Sequence, residues 1–191
     1  MLSFTEVIIA SAIVGVLAGL VSGTISALTG GSFAEGFATG LMSGFIATAL
    51  ALVTGNFVLA MSVGTLIATL VMELATGRME EAPAVSMARI LVATLIAAAG
   101  GAFLGGAGSN IFTASAAELV PLLTEAAITK ATLASLGRIL GQMLLKGVFM
   151  GVVQSLAGLM NRVAILMYET LLDLTEQRRL DIEKALRETG F

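Results

Sequence analysis

Ser11-Ala-Ile-Val-Gly15-Val-Leu-Ala-Gly19-Leu-Val-Ser-Gly23-Thr-Ile-Ser-Ala27 sets a small residue at every fourth position. Ser32-Phe-Ala-Glu-Gly36-Phe-Ala-Thr-Gly40-Leu-Met-Ser-Gly44-Phe-Ile-Ala-Thr48 repeats the pattern. On a helix of 3.6 residues per turn this spacing gathers Gly15, Gly19 and Gly23 on one face, and Gly36, Gly40 and Gly44 on another. Inside a helix each glycine is unfavourable by about 0.5–1 kcal/mol relative to alanine. A glycine-lined face is therefore expected only where close packing offsets that loss. A bilayer is such a place, because lipid tails are as apolar as leucine and helices there associate by close backbone approach and dispersion. A single GxxxG is a weak signal, whereas runs of four or five small residues are more specific. The chain reads as all-α, a polytopic helical membrane bundle with glycine-zipper packing.

Composition agrees. Of 191 residues, 57% are hydrophobic and 12% charged, with a mean hydropathy of +1.00, against about a quarter charged in soluble domains. A chain this short lacks the polar surface to cover several apolar helices in water. Four stretches reach the ~20 residues that cross a bilayer core: Glu6 to Leu28, Ala34 to Val53, Phe57 to Leu74 and Pro83 to Leu104. Ser3-Phe-Thr-Glu6 and Ser32-Phe-Ala-Glu35 read as capping boxes. Gly30-Gly31, Gly55 and Gly77 fall just past helix ends, and Pro83 suits a first turn. The short links predict antiparallel neighbours. Met1 to Glu6 carries no Lys or Arg, so the first hydrophobic run is expected to stay as a span and not to leave as a signal peptide.

The pattern divides the chain into a four-helix transmembrane region over 1–110, a basic region over 111–168 and a solvated, amphipathic C-terminal helix over 169–191. After Gly105-Gly106-Ala107-Gly108-Ser109-Asn110 a shorter segment, Ser115 to Ile128, is expected to be interrupted by Pro121. A long helix then reads from about Thr129 to Thr189. Arg138, Gln142, Lys146, Gln154 and Arg162 form a drifting polar strip. It suits a helix lying in the interface, or a fifth span over Gly147 to Leu166 with Gln154 and Asn161 facing protein. Four spans or five therefore both fit. In the tail, Glu176 with Arg179, Asp181 with Lys184 and Glu183 with Arg187 stand at pairing distance, and a soluble partner could bind there.

The first two segments align at a shift of 21 residues. Gly19-Leu20-Val21-Ser22-Gly23 matches Gly40-Leu41-Met42-Ser43-Gly44, with Ser11 over Ser32, Gly15 over Gly36 and Ile25 over Ile46. This reads as duplication of one helix. Gly64 continues the theme between Ala60 and Ala68, and Gly101 and Gly105 follow Ala93 and Ala97 and precede Ser109; Gly137 with Gly141 and Gly147 with Gly151 extend it. Leu28-Thr-Gly-Gly-Ser-Phe-Ala-Glu-Gly-Phe-Ala-Thr-Gly-Leu-Met-Ser-Gly44, within Gly15 to Thr54, resembles the glycine-rich hydrophobic segments of polymorphic toxins of the Rhs and contact-dependent inhibition kinds. It is also similar to glycine-zipper segments of phage tail and ejection proteins. The resemblance implies membrane insertion during cargo delivery.

With no Cys and no His, thiolate or imidazole metal sites and a Ser-His-Asp triad are excluded. No metal, no cofactor and no enzymatic activity are expected. Gly101-Ala-Phe-Leu-Gly105-Gly106 follows no strand and lacks a P-loop lysine, and neither a basic surface nor stacking aromatics point to nucleic acid. Glu35 and Glu73, at span edges, are candidates for a proton or cation site, although capping accounts for Glu35 and proximity to headgroups or Arg78 for Glu73. The expectation is an integral membrane protein in contact with the bilayer. Its glycine faces either pack within one small bundle or join copies; on the second reading it would form a homo-oligomer through Gly15/Gly19/Gly23 and Gly36/Gly40/Gly44 and act as a membrane-inserting scaffold or pore-type component. The alternatives are a small transport or channel subunit and a structural protein of a viral or cellular membrane.

Overall fold

The computed structural model describes residues 3–124 and 130–188. Expectations resting on the side chains of Ser109, Asn161 and Arg187 lie outside the described residues. The described chain is helical throughout: α1 (Phe4–Leu28), α2 (Phe33–Thr54), α3 (Phe57–Ala75), a single turn α4 (Arg78–Glu81), α5 (Pro83–Thr124) and α6 (Lys130–Glu188). Five helices are long and apolar enough to cross a membrane, the fourth over Pro83–Gly105 and the fifth within Gly137–Ala185.

Local chemistry fixes the ends. The Ser3 hydroxyl accepts from the Glu6 N–H while the Glu6 carboxylate accepts from the Ser3 N–H at 2.6 Å, a complete capping box. At α2 only half the box forms. Ser32 accepts from the Glu35 N–H, but the Glu35 carboxylate turns away to Arg78. Gly55 and Gly77 end α2 and lead into α4 at φ 67° and 73°, a left-handed geometry that a Cβ would disfavour.

The expected break after Leu104 does not occur. α5 continues through the glycine cluster and through Pro121 in its last turn, 42 residues in all. Glycine weakens a helix by only about 1 kcal/mol per residue, which leaves hydrogen-bonded helix the better state for an apolar chain. The region 111–168 takes in the end of α5 and most of α6.

The two glycine faces meet each other inside this chain. A Cβ built on Gly36 would stand 3.0 Å from the Gly23 Cα, one on Gly40 2.9 Å from the Gly19 Cα, and one on Gly44 3.1 Å from the Gly15 Cα. Gly15 thus faces Gly44, Gly19 faces Gly40 and Gly23 faces Gly36 in an antiparallel pair. Adding 21 to one partner and subtracting it from the other exchanges the outer two pairs, so the duplicated helices are related by an approximate twofold axis at Gly19–Gly40. This is an inverted repeat. The sequence leaves open whether these faces pack within one bundle or join separate copies; here they are filled by intramolecular packing.

The remaining helices close a ring in the order α1, α2, α3, α5, α6 and back to α1. Gly64 on α3 lies against Ser43 and Ala47 of α2, Gly101 on α5 against Phe57 and Val58, and Gly151 on α6 against Ala18 and Val21 of α1. Gly105, expected to pack, is exposed, and its Cβ would find only Phe57 at 3.8 Å; Gly137 and Gly141 meet nothing. Ile139, Met143, Met150, Val153 and Ala157 of α6 are buried, so this stretch is a member of the ring and not a helix lying beside it.

The ring is built inside out relative to a water-soluble bundle. Its buried positions are largely Ala, Gly, Ser and Thr, whereas Val16, Leu20, Leu59, Leu66, Leu91, Leu95, Leu144 and Leu156 point outward. In water these residues would form an apolar surface far larger than monomers carry. Against lipid they are the expected outer coat. Beyond Arg162, α6 runs on with residues 169–185 all exposed. There Arg179 pairs with Glu183 at 3.3 Å, and among the described residues no ion pair joins it to Glu176.

Candidate functional site: a charged vestibule at one end of the ring

Alternation of the helices brings the end of α1, the start of α2, the end of α3 and the start of α5 to one end of the ring, and α6 passes the same level on its way out. A cavity of about 340 Å³ opens there, within the ~300–1,000 Å³ of small-molecule sites.

Its charged wall is one connected network. Arg78 donates to Glu35 at 2.5 Å and to Glu73 at 3.3 Å. Glu73, whose side chain is only 4% exposed, also receives Arg89 at 3.4 Å and the Ser86 hydroxyl at 2.6 Å. The arrangement ties α2, α3, α4 and α5 together. A carboxylate buried this deeply persists only with such partners, because leaving it unpaired is expensive. The Glu35 hydrogen bond, assisted by the charges of Glu35 and Glu73, raises Arg78 above its ordinary pKa, against the opposing effect of burial. The two residues singled out as candidate ion or proton sites, Glu35 and Glu73, therefore share one site through Arg78. Glu73 is buried there and does not reach for headgroups.

The opposite wall comes from α6 and the end of α1. Arg162 donates to the Thr29 carbonyl oxygen at 2.5 Å, bridging 133 residues of sequence, and no carboxylate among the described residues pairs with it. Ser22, Ser26 and Thr69 line the space between the two walls. The lining holds three arginines and two glutamates, an excess of one positive charge.

The floor is the Gln154 side chain, buried and donating to the Thr65 hydroxyl at 2.6 Å. Beneath it Ser43, Gly44, Ala47, Met61 and Met150 surround a void too tight for a water molecule. Thr48 donates to the Met150 sulfur at 3.8 Å. The α1–α2 register sets Ser11 at the level of Thr48; its buried hydroxyl has no hydrogen-bond partner. Polar groups thus continue past the floor into the interior.

The sequence puts Glu73 within reach of headgroups or Arg78, and turns Gln154 toward protein if its segment is a fifth span; the Arg78 contact and the buried Gln154 are what the structure has. Sequence reading missed Arg89 and Ser86 as partners of Glu73, Arg162 as the counter-wall, and Thr65 as the partner of Gln154. The usable signal was positional. Glu35, Glu73, Arg78 and Arg89 all flank span ends that an antiparallel bundle must bring to the same side. Among the described residues no cluster of acidic side chains suited to a metal ion occurs. No protein-family model, no curated protein and no solved structure matches the chain.

Proposed function

We propose that this chain is an integral membrane protein of five spans that passes a small solute along the axis of its ring, a transport or channel subunit closed here at its floor. One observation carries the reading: the charged vestibule leads into the ring axis and stops at a single side-chain hydrogen bond backed by two methionines. A hydrogen bond between helices such as Gln154–Thr65 also ties a scaffold together, but the Ser11 hydroxyl, buried without a partner among the described residues, contributes nothing to one. A gate needs such groups, and methionine is the side chain that moves aside most readily.

The charges support an orientation. Arg78, Arg89 and Arg162 lie at the vestibule end and Arg178, Arg179, Lys184 and Arg187 follow on the protruding part of α6, against Lys130 and Arg138 toward the other end. The positive-inside rule turns the vestibule to the cytoplasmic side.

The test is solute passage in liposomes. Met150→Ala removes the support beneath the floor and is expected to raise permeability to small solutes at least tenfold over wild type. Gln154→Leu is expected to abolish it. Equal, background leakage from wild type and Met150→Ala across chloride, phosphate, potassium and glycerol would overturn the reading in favour of a structural membrane protein.

A further inference from the structure

The vestibule's charges are paired on one wall and unmatched on the other. Glu35 and Glu73 are held by Arg78 and Arg89, while among the described residues Arg162 donates only to the Thr29 carbonyl oxygen. A guanidinium so placed keeps most of its donors available, in a fork whose geometry matches phosphate and carboxylate oxygens. The Ser26 hydroxyl of α1 stands beside Arg162 at Gly31, and Ser22 of α1 and Thr69 of α3 line the same cavity. Polar groups contributed by three helices suit a tetrahedral anion, whose oxygens point in several directions, better than a planar carboxylate satisfied by one fork.

We propose that the vestibule binds a phosphate group, with Arg162 as its principal cation. The inference deepens the reading of the vestibule as the mouth of the path, and it rests on that reading for the site being open to ligand. The charge balance agrees, because a bound anion offsets the excess positive charge of the lining. The depth of the site does too: Arg162 stands at the level of the α1–α2 link, where a bilayer's headgroups meet water. The phosphate can therefore come from solution or from an anionic lipid.

The experiment measures binding to the full chain in two arms. In detergent, inorganic phosphate is titrated by calorimetry against chloride at matched ionic strength. In nanodiscs, retention of phosphatidylglycerol over phosphatidylcholine is read by native mass spectrometry. Saturable phosphate binding assigns the soluble source, and selective lipid retention without phosphate binding assigns the headgroup; either supports the site. Arg162→Gln is expected to weaken the observed binding at least tenfold. Glu35→Gln, which releases Arg78 from its carboxylate, is expected to strengthen it severalfold. Opposite signs from two substitutions in one cavity are not the mark of general unfolding. Neither ligand binding above the chloride or phosphatidylcholine background overturns the proposal. So does binding indifferent to Arg162→Gln, or weakened by both variants. Solute passage in liposomes without phosphate or lipid binding overturns this inference alone, and binding without passage overturns the proposed function alone.

Discussion

Gly40→Ala should loosen the bundle although alanine is the better helix former. A Cβ at this position would lie 2.7 Å from the Ala18 carbonyl oxygen, 2.8 Å from the Ser22 Cβ and 2.9 Å from the Gly19 Cα. All three atoms belong to α1 and two are backbone, so no rotamer change relieves the contact and the helices themselves must part. A separation of about 0.5 Å forfeits roughly a quarter of the dispersion attraction at each facing contact, including those at Gly15–Gly44 and Gly23–Gly36. Overpacking of this kind costs about 1–3 kcal/mol, and the intrinsic gain of alanine over glycine recovers about 0.5–1 kcal/mol. The net expectation is a loss centred at about 1 kcal/mol and reaching about 2.5 kcal/mol. Gly141→Ala is the control, since nothing stands within 4 Å of its Cβ, and it should gain up to about 1 kcal/mol. Reversible unfolding in mixed micelles, followed by circular dichroism as dodecyl sulfate is titrated, separates the two. Gly40→Ala as stable as wild type or more so would refute the account of the zipper.

Ser86→Ala removes the shortest of the bonds to buried Glu73 and is expected to destabilise by roughly 1–3 kcal/mol, whereas Ser62→Ala, whose hydroxyl returns to its own helix at Val58, should be close to neutral in the same unfolding assay. Because both glycine faces are occupied within the chain, native mass spectrometry in nanodiscs should find a monomer; a defined oligomer would show that the outer leucine-rich faces associate. Single cysteines at Glu80 and Gln177 should react with an impermeant maleimide from one side of a vesicle and one at Thr54 from the other, against a background free of native cysteine. Removal of residues 172–191 should leave the thermal midpoint unchanged, since the side chains of 172–185 are exposed throughout; a fall would reveal a contact made by the tail.

Much of this architecture is legible one helix at a time. The first three spans, both serine caps and the left-handed glycines at 55 and 77 follow from local spacing, because caps and apolar runs are settled within a turn or two of chain. The faces of Gly15, Gly19 and Gly23 and of their repeat are equally visible. Their partner is not, since a small-residue face has the same sequence whether it meets its own chain or another copy. The length of α5 was misjudged because Gly105 to Ser109 reads as a stop by rules calibrated in water, where solvent competes for backbone hydrogen bonds. The vestibule was legible only in part. Glu73 and Arg78 are five residues apart, but Gln154 meets Thr65 across 89 residues and Arg162 meets Thr29 across 133. Those meetings depend on α6 joining the ring, which its polar strip left undecided between interface and span.

The spacing of the zipper has a consequence for how the hairpin finds its alignment. Sliding α1 past α2 by one helical turn would set Gly19 against Gly44 and Gly23 against Gly40, leaving Gly15 opposite Thr48 and Ala27 opposite Gly36. Such a shifted hairpin keeps most of its small-on-small contacts, so the glycines specify closeness far better than they specify alignment. What removes the degeneracy lies outside the zipper. At the end of α1 the Thr29 carbonyl oxygen is held by Arg162 of α6, and at the start of α2 the Glu35 carboxylate is held by Arg78. A slide of one turn, ~6 Å of axial travel, would pull one of these contacts apart. The glycines are notches of equal depth, and the two arginines decide which of them engage.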